Sequence, residues 1–104
     1  MKVLSSAEFN DYIANSKVPV LVDFFADWCG PCQMLTPVLK QLSQEVSPEV
    51  DIVKVDIDES EEIASQLGIT SIPTLVIYKN GEVVDRMTGF QSKDALSAKL
   101  SEYK

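Results

Sequence analysis

Residues 18–26 constrain the fold of this chain more than any other segment. They are almost continuously apolar, are rich in β-branched and aromatic residues, and contain a single charge, Asp23. A strand with one solvated face alternates apolar and polar residues, so a continuous apolar run is typical of a strand that is covered on both faces. We therefore expect a central strand in a sheet that carries helices on both sides.

Helix signals stand on both sides of this strand. Ser5 followed by Glu8 forms a capping box, which opens a helix that runs to about Asn15. Apolar residues recur at helical spacing from about Pro31 onward, and Pro37 is expected to kink that helix. The two cysteines of the chain therefore lie where the strand becomes a helix.

The second half of the chain predicts more strands and two more helices. Apolar, β-rich runs indicate strands at residues 50–57, 73–78 and 82–87. Gly68 closes a short helix after the first of these strands, and Ser92 caps a last helix. Asn80-Gly81 joins the other two strands and is a strong hairpin signal. The order predicts an α/β fold, with a mixed central sheet flanked by about four helices.

Length and charge restrict the possible functions. The 104 residues, 45% of them hydrophobic, fit one domain over residues 1–104 that needs no disulfide or metal to hold its core. Sixteen acidic against nine basic residues give a net charge of −7, which disfavours nucleic acid and anionic membranes as partners. The N-terminus lacks the apolar run of a signal peptide, and no stretch approaches the ~18–20 residues of a membrane span. We expect a cytoplasmic monomer.

The segment Trp28-Cys29-Gly30-Pro31-Cys32 carries the chemistry that the sequence predicts. Its spacing lets one turn at a helix start bring both sulfurs within bonding distance. Loop entropy gives a disulfide this short only about 2 kcal/mol of stabilisation, against about 3 kcal/mol for a fifteen-residue loop. The pair is a poor structural staple and suits reversible opening and closing.

The helix start distinguishes the two thiols. Cys29 comes just before the helix, where unpaired N–H groups and the helix dipole favour an anion, whereas Cys32 is expected to be more buried in the first turn. We assign Cys29 as the nucleophile and Cys32 as the thiol that resolves the mixed disulfide. Half-ionising a thiol of pKa about 8.5 at pH 7 takes about 2 kcal/mol, so direct N–H hydrogen bonds to the sulfur are also expected.

Two other uses of the cysteines stay open. A zinc site normally needs four Cys, His or carboxylate ligands, and the chain has neither a histidine nor a second cysteine pair. An inert pair of core cysteines is the other alternative. Redox chemistry is favoured over both.

The chain closely resembles the thioredoxin family over essentially its whole length. The resemblance rests on four segments in order, VDFFA at 22–26, WCGPC at 28–32, IPT at 72–74 and KNG at 79–81. It implies the thioredoxin fold and reduction of protein disulfides without a bound cofactor. It also implies re-reduction of the Cys29–Cys32 disulfide by a flavoprotein thioredoxin reductase, with electrons from NADPH. Typical clients of the family are ribonucleotide reductase, peroxiredoxins and methionine sulfoxide reductases.

The resemblance implies roles for two charged residues. A strand-end carboxylate such as Asp23 can simply reach solvent, but the matching aspartate of the family lies beneath the disulfide. Asp23 is thus expected to have a pKa raised by desolvation and to act as general base toward Cys32, through water. Lys54 fits the solvent end of an alternating strand, yet the family position implies a lysine that modulates the buried aspartate.

The resemblance further implies a docking surface around the disulfide, formed by Trp28, Gly30, Pro31, Ile72, Pro73 and Gly89. Trp28 would otherwise be a core aromatic, and Pro73 an ordinary strand-opening proline. Gly30-Pro31 would be only a turn and a helix start, and Gly89 only a tight backbone position. In the family the Ile72–Pro73 bond is cis, and the Ile72 backbone pairs with an extended substrate segment.

Two departures from the family pattern bear on partners. Phe25 stands where many bacterial members have a second tryptophan, and Gln33 follows the second cysteine where a basic residue is common. We expect modest changes in thiol acidity and in preference for charged partners. An oxidase or isomerase is disfavoured because such relatives commonly carry histidine between the cysteines. A binding role within a larger enzyme and a ferredoxin-linked reductase stay open.

Overall fold

Five strands and four helices form a mixed sheet with two helical layers. The computed structural model describes residues 1–104, in the order β1 (Lys2–Val3), α1 (Ser6–Asn15), β2 (Val20–Phe25), α2 (Gly30–Val46), β3 (Asp51–Asp56), α3 (Glu61–Gln66), β4 (Thr74–Lys79), β5 (Glu82–Thr88) and α4 (Lys93–Ser101). The strand order is β1-β3-β2-β4-β5. Strands β1, β3 and β2 are parallel, and β4 is antiparallel to β2 and to β5. The α/β fold class expected from the sequence is confirmed.

The apolar run does form the central strand. β2 pairs with β3 on one side and with β4 on the other, and its residues alternate between two cores. Val20, Val22 and Phe24 face the layer of α1 and α3, while Leu21 packs with α2 and α4. The strand is shorter than the apolar run because Pro19 has no N–H for the ladder and the Ala26 carbonyl accepts the Cys29 N–H in the turn that leads to α2.

The cap and turn signals are confirmed. Ser5 and Glu8 exchange both bonds of the capping box, and the Ser92 hydroxyl accepts the Ala95 N–H. Asn80 and Gly81 both have positive φ, the backbone that a tight hairpin between β4 and β5 needs. Gly68, at φ +64°, follows the C-cap of α3. Pro37 lies inside α2, and the kink stays a prediction.

The N-terminal strand was not predicted from the sequence. β1 is two residues long, and both side chains are exposed, so neither alternation nor an apolar run marks it. It pairs with β3, and the Leu4 N–H donates to the Lys54 carbonyl at 2.8 Å. No helix of the structure is long and apolar enough to cross a membrane.

Candidate active site

Cys29 and Cys32 are joined in a disulfide at the N-terminus of α2. Cys29 is the N-cap residue, with Pro31 in the first turn of the helix, and the Cys29 sulfur accepts the Cys32 N–H at 3.2 Å. Cys32 is 2% exposed and Cys29 is 5% exposed. The predicted proximity of the sulfurs and the N–H bond to Cys29 are therefore confirmed. No group of three or more His, Cys, Asp or Glu side chains is placed to hold a metal ion, so the zinc alternative lacks its ligands.

A small apolar cluster surrounds the disulfide. Ala26 and both cysteines form it, and Phe25, Ile57 and Ile72 pack against it. Trp28 is 69% exposed, and its indole Nε1 donates to Asp58 Oδ2 at 2.7 Å, so the core interpretation of Trp28 is wrong. Gly30 and Pro31 are exposed as well. The disulfide thus lies just beneath a surface that Trp28 borders.

The Ile72–Pro73 segment lies beside this cluster. The bond between the two residues is cis, as expected. The Pro73 carbonyl accepts the Gly89 N–H at 2.8 Å, and Gly89 has φ +91°, a backbone that favours glycine. These contacts join Pro73 with Gly89 and place Ile72 beside the cysteine cluster.

Asp23 is the most deeply buried charged residue in the structure. It is 0% exposed and lies on the α2 and α4 face of β2, between Lys54 on β3 and Leu75 on β4. Neither carboxylate oxygen accepts a hydrogen bond from the protein. Burial raises the pKa of Asp23 to about 6, and the charge of Lys54 acts in the opposite direction. The alternative in which Asp23 reaches solvent is wrong.

Lys54 connects Asp23 with the helix that carries the disulfide. Its Nζ lies 3.9 Å from Asp23 Oδ2 and donates to Thr36 Oγ1 at 3.2 Å, and this hydroxyl donates to the Cys32 carbonyl at 3.2 Å. Nζ also lies 4.3 Å from the centroid of the Phe25 ring, a cation–π contact. Because the Lys54 side chain is only 12% exposed, the solvent-end interpretation is wrong.

A crevice reaches this group of residues from the surface. It has a volume of about 140 Å³ and is lined by Phe25, Ala26, Asp27, Cys32, Gln33, Thr36 and Lys54. The roles of Thr36 and Asp58 were missed from the sequence. Thr36 lies four residues after Cys32, on the same side of a helix, and that spacing was the available signal. For Asp58 the sequence offers no such signal.

The fold and the reversible cysteine pair define a dithiol–disulfide oxidoreductase. A family model described as Thioredoxin matches residues 1–102. The chain is 50% identical over 103 residues to Thioredoxin of Chlamydia caviae, covering 99% of this chain and 98% of the relative. It is 46% identical over 100 residues to Thioredoxin of Synechocystis sp. (96% and 94%) and 42% identical over 103 residues to Thioredoxin of Bacillus subtilis (99% of both). The chain belongs to the thioredoxin family.

Membership in the family sets the general activity. The protein carries out dithiol–disulfide exchange through its cysteine pair, and this pair takes the place of a bound cofactor. Its partners are disulfide-containing substrates and a reductase. The WCGPC motif predicted the same chemistry. Because the cysteine pair is redox-active, the alternative of two inert core cysteines is excluded.

Proposed function

We propose that the protein reduces client-protein disulfides in the cytoplasm, as a monomer with one domain over residues 1–104. A flavoprotein thioredoxin reductase, with electrons from NADPH, returns it to the dithiol form. The clients are ribonucleotide reductase, peroxiredoxins and methionine sulfoxide reductases. The observation that carries the proposal is the Cys29–Cys32 disulfide at the start of α2, with the Cys32 N–H on the Cys29 sulfur.

Cys29 is the nucleophile of the first step. In the reduced protein the Cys32 N–H and the N-terminus of α2 favour an anionic Cys29 sulfur. The Cys29 thiolate attacks one sulfur of the client disulfide, the client S–S bond breaks, and the other client sulfur leaves as a thiolate. The client is then joined to Cys29 in a mixed disulfide.

Cys32 resolves the mixed disulfide in the second step. Its thiol gives up a proton to the Asp23 carboxylate, through water, and the sulfur attacks Cys29. The Cys29–Cys32 bond forms, the client leaves with both sulfurs reduced, and two electrons have moved to the client. A pKa of about 6 suits Asp23 to accept a proton near neutral pH, and Lys54, 3.9 Å away, keeps that pKa from rising further.

The client docks across Trp28, Gly30 and Pro31 on one side and Ile72, Pro73 and Gly89 on the other. Ile72 supports this assignment, because its side chain packs on the cysteine cluster while its backbone N–H and C=O bond to no group within the protein. An extended client segment can pair with those two groups, as in strand addition.

Reduction of insulin, with thioredoxin reductase and NADPH supplied, tests the proposal. We expect turnover by the parent and none by Cys29→Ser or Cys32→Ser. Cys32→Ser is the sharper variant, because it keeps the nucleophile and loses resolution, so it accumulates a covalent client adduct that mass spectrometry detects. Cys29→Ser is its matched control. Adducts on Cys29→Ser in place of Cys32→Ser would reverse the assigned roles, and an inactive parent would leave only a binding role.

A further inference from the structure

We propose that Arg86 is a positioning residue for client docking. Its guanidinium holds the start of the segment that presents the Ile72 backbone, and we call residues 68–73 the docking loop. The inference rests on the proposed function, since it takes the client to bind along Ile72. It adds a residue of β5 that lies outside the cysteine motif and outside the docking surface itself.

Arg86 makes two hydrogen bonds to the end of α3. Nη1 donates to the Leu67 carbonyl at 2.7 Å, and Nη2 donates to the Gly68 carbonyl at 2.9 Å. The last carbonyls of a helix have no partner within the helix, so they need donors from elsewhere. A planar guanidinium offers two N–H groups in a fixed fork, whereas the ammonium of lysine is a single point of charge. Adjacent carbonyls therefore suit arginine in particular.

The middle of the docking loop has few bonds of its own. The N–H groups of Gly68 and Ile69 still bond to carbonyls of α3, but those of Thr70, Ser71 and Ile72 bond to no protein group. Further along, the Thr74 hydroxyl donates to the Ser71 carbonyl at 2.6 Å. Backbone hydrogen bonds therefore hold the loop mainly at its two ends, and the packing of Ile69 and Ile72 adds to them.

Strand β5 and the residue that follows it, Gly89, hold the two ends of the loop. Arg86 binds the loop at Gly68, and Gly89, three residues further along, donates its N–H to the Pro73 carbonyl. β5 in turn pairs with β4, the strand that the loop enters, so the three segments form one frame. Ile72 lies between the two attachments and packs on the cysteine cluster. Release of the Gly68 end lets the Ile72 backbone move relative to Cys29, without a change at the sulfur itself.

Rate constants for two kinds of disulfide test this role. Each protein is reduced beforehand, and its second-order rate constants are measured with insulin and with 5,5′-dithiobis(2-nitrobenzoate), a small disulfide that makes no use of the loop. For Arg86→Gln we expect the insulin rate constant to fall about five- to tenfold, which corresponds to the loss of roughly one net hydrogen bond. The rate constant for the small disulfide is expected to stay within about twofold of the parent value.

Arg86→Lys keeps the charge, and its insulin rate constant is expected to stay close to that of Arg86→Gln. Lys79→Gln removes one positive charge from the end of β4 without touching the loop, and it is expected to match the parent.

Amide hydrogen exchange provides a second readout. In Arg86→Gln the Gly68 and Ile69 amides are expected to exchange about tenfold faster, while the amides of β4 are unchanged. Equal insulin constants for Arg86→Gln and the parent, a parallel fall with both disulfides, or full rescue by Arg86→Lys would overturn the inference. If the parent itself fails to reduce insulin, the proposed function fails, and the exchange data alone decide whether Arg86 holds the loop.

Discussion

The two faces of the sheet are built differently although they share the same strands. The face under α1 and α3 is packed with aliphatic and aromatic side chains, including Phe24 against Phe9, with ring centroids 6.3 Å apart. The face under α2 and α4 is equally apolar at Leu21, but two residues further along β2 it contains Asp23. The first face supplies stability. The second gives up part of its stability to keep a titratable carboxylate buried beside Lys54.

Phe24→Ala is expected to have the largest effect, and it acts on the apolar face only. Phe24 is 0% exposed, so truncation removes a fully buried ring and leaves a cavity. We expect the free energy of unfolding, measured by denaturant titration, to fall by about 3–5 kcal/mol. Below its unfolding midpoint the variant should react with 5,5′-dithiobis(2-nitrobenzoate) as fast as the parent.

Phe24→Leu is the milder partner of this variant, with an expected loss of about 1 kcal/mol, and it keeps the test valid if Phe24→Ala does not fold. A folded Phe24 variant whose disulfide exchange is slowed tenfold would show that the two faces are not independent, and the comparison between them would fail.

Asp23→Asn is expected to stabilise the protein at neutral pH. The pKa of Asp23 is about 6 in the folded protein against 3.8 as the ordinary value, so folding takes up a proton between these two pH values. The parent therefore loses stability as pH rises from about 4 to about 6, and the shift of about two units amounts to roughly 3 kcal/mol above that window. Asn is neutral throughout, so the variant should be more stable than the parent by up to about 3 kcal/mol at pH 8 and similar to it at pH 4.

Unfolding of the oxidised proteins in denaturant at the two pH values checks this expectation. Asp11→Asn, an exposed position on α1, is the matched control and should change stability by less than about 0.5 kcal/mol at either pH. Equal stabilities of Asp23→Asn and the parent at pH 8 would show that the buried charge of Asp23 does not lower the free energy of unfolding.

The same variant tests the proposed base. Resolution of a mixed disulfide by Cys32 should slow in Asp23→Asn, and its dependence on pH near 6 should disappear. Stopped-flow release of a labelled client from Cys29 measures this rate. An unchanged pH profile would remove Asp23 from the mechanism while leaving its effect on stability intact.

Features that depend on residues close together in the chain could be predicted from the sequence. The continuous run at residues 18–26 indicated the central strand, and the WCGPC spacing indicated the disulfide, because each depends on residues close together in the chain. The contact of Lys54 with Thr36 and that of Arg86 with Gly68 each join residues 18 positions apart, and they depend on how a helix is placed over a strand. Trp28 shows the same limit, since no local pattern reveals which side of the turn before α2 faces solvent.

Lys54→Met is expected to have the smallest effect, and it acts only on the charged residues of the sheet face under α2 and α4. Without the ammonium 3.9 Å from Asp23, the carboxylate loses its one nearby positive charge, so its pKa should rise further above the ordinary value. Loss of this ion pair is expected to lower stability by up to about 1 kcal/mol at pH 8, where Asp23 is charged, and by much less at pH 4, where it is protonated. The pH dependence of the rate at which Cys32 resolves the mixed disulfide should move to higher pH together with the pKa of Asp23.

Lys40→Met, on the exposed side of α2, is the matched control, since it removes an equal charge. It should leave unchanged both the pH dependence of that rate and the difference in stability between pH 4 and pH 8. A loss of stability in Lys54→Met that is equal at both pH values would mean that Lys54 contributes through packing on Phe25 and not through the charge of Asp23.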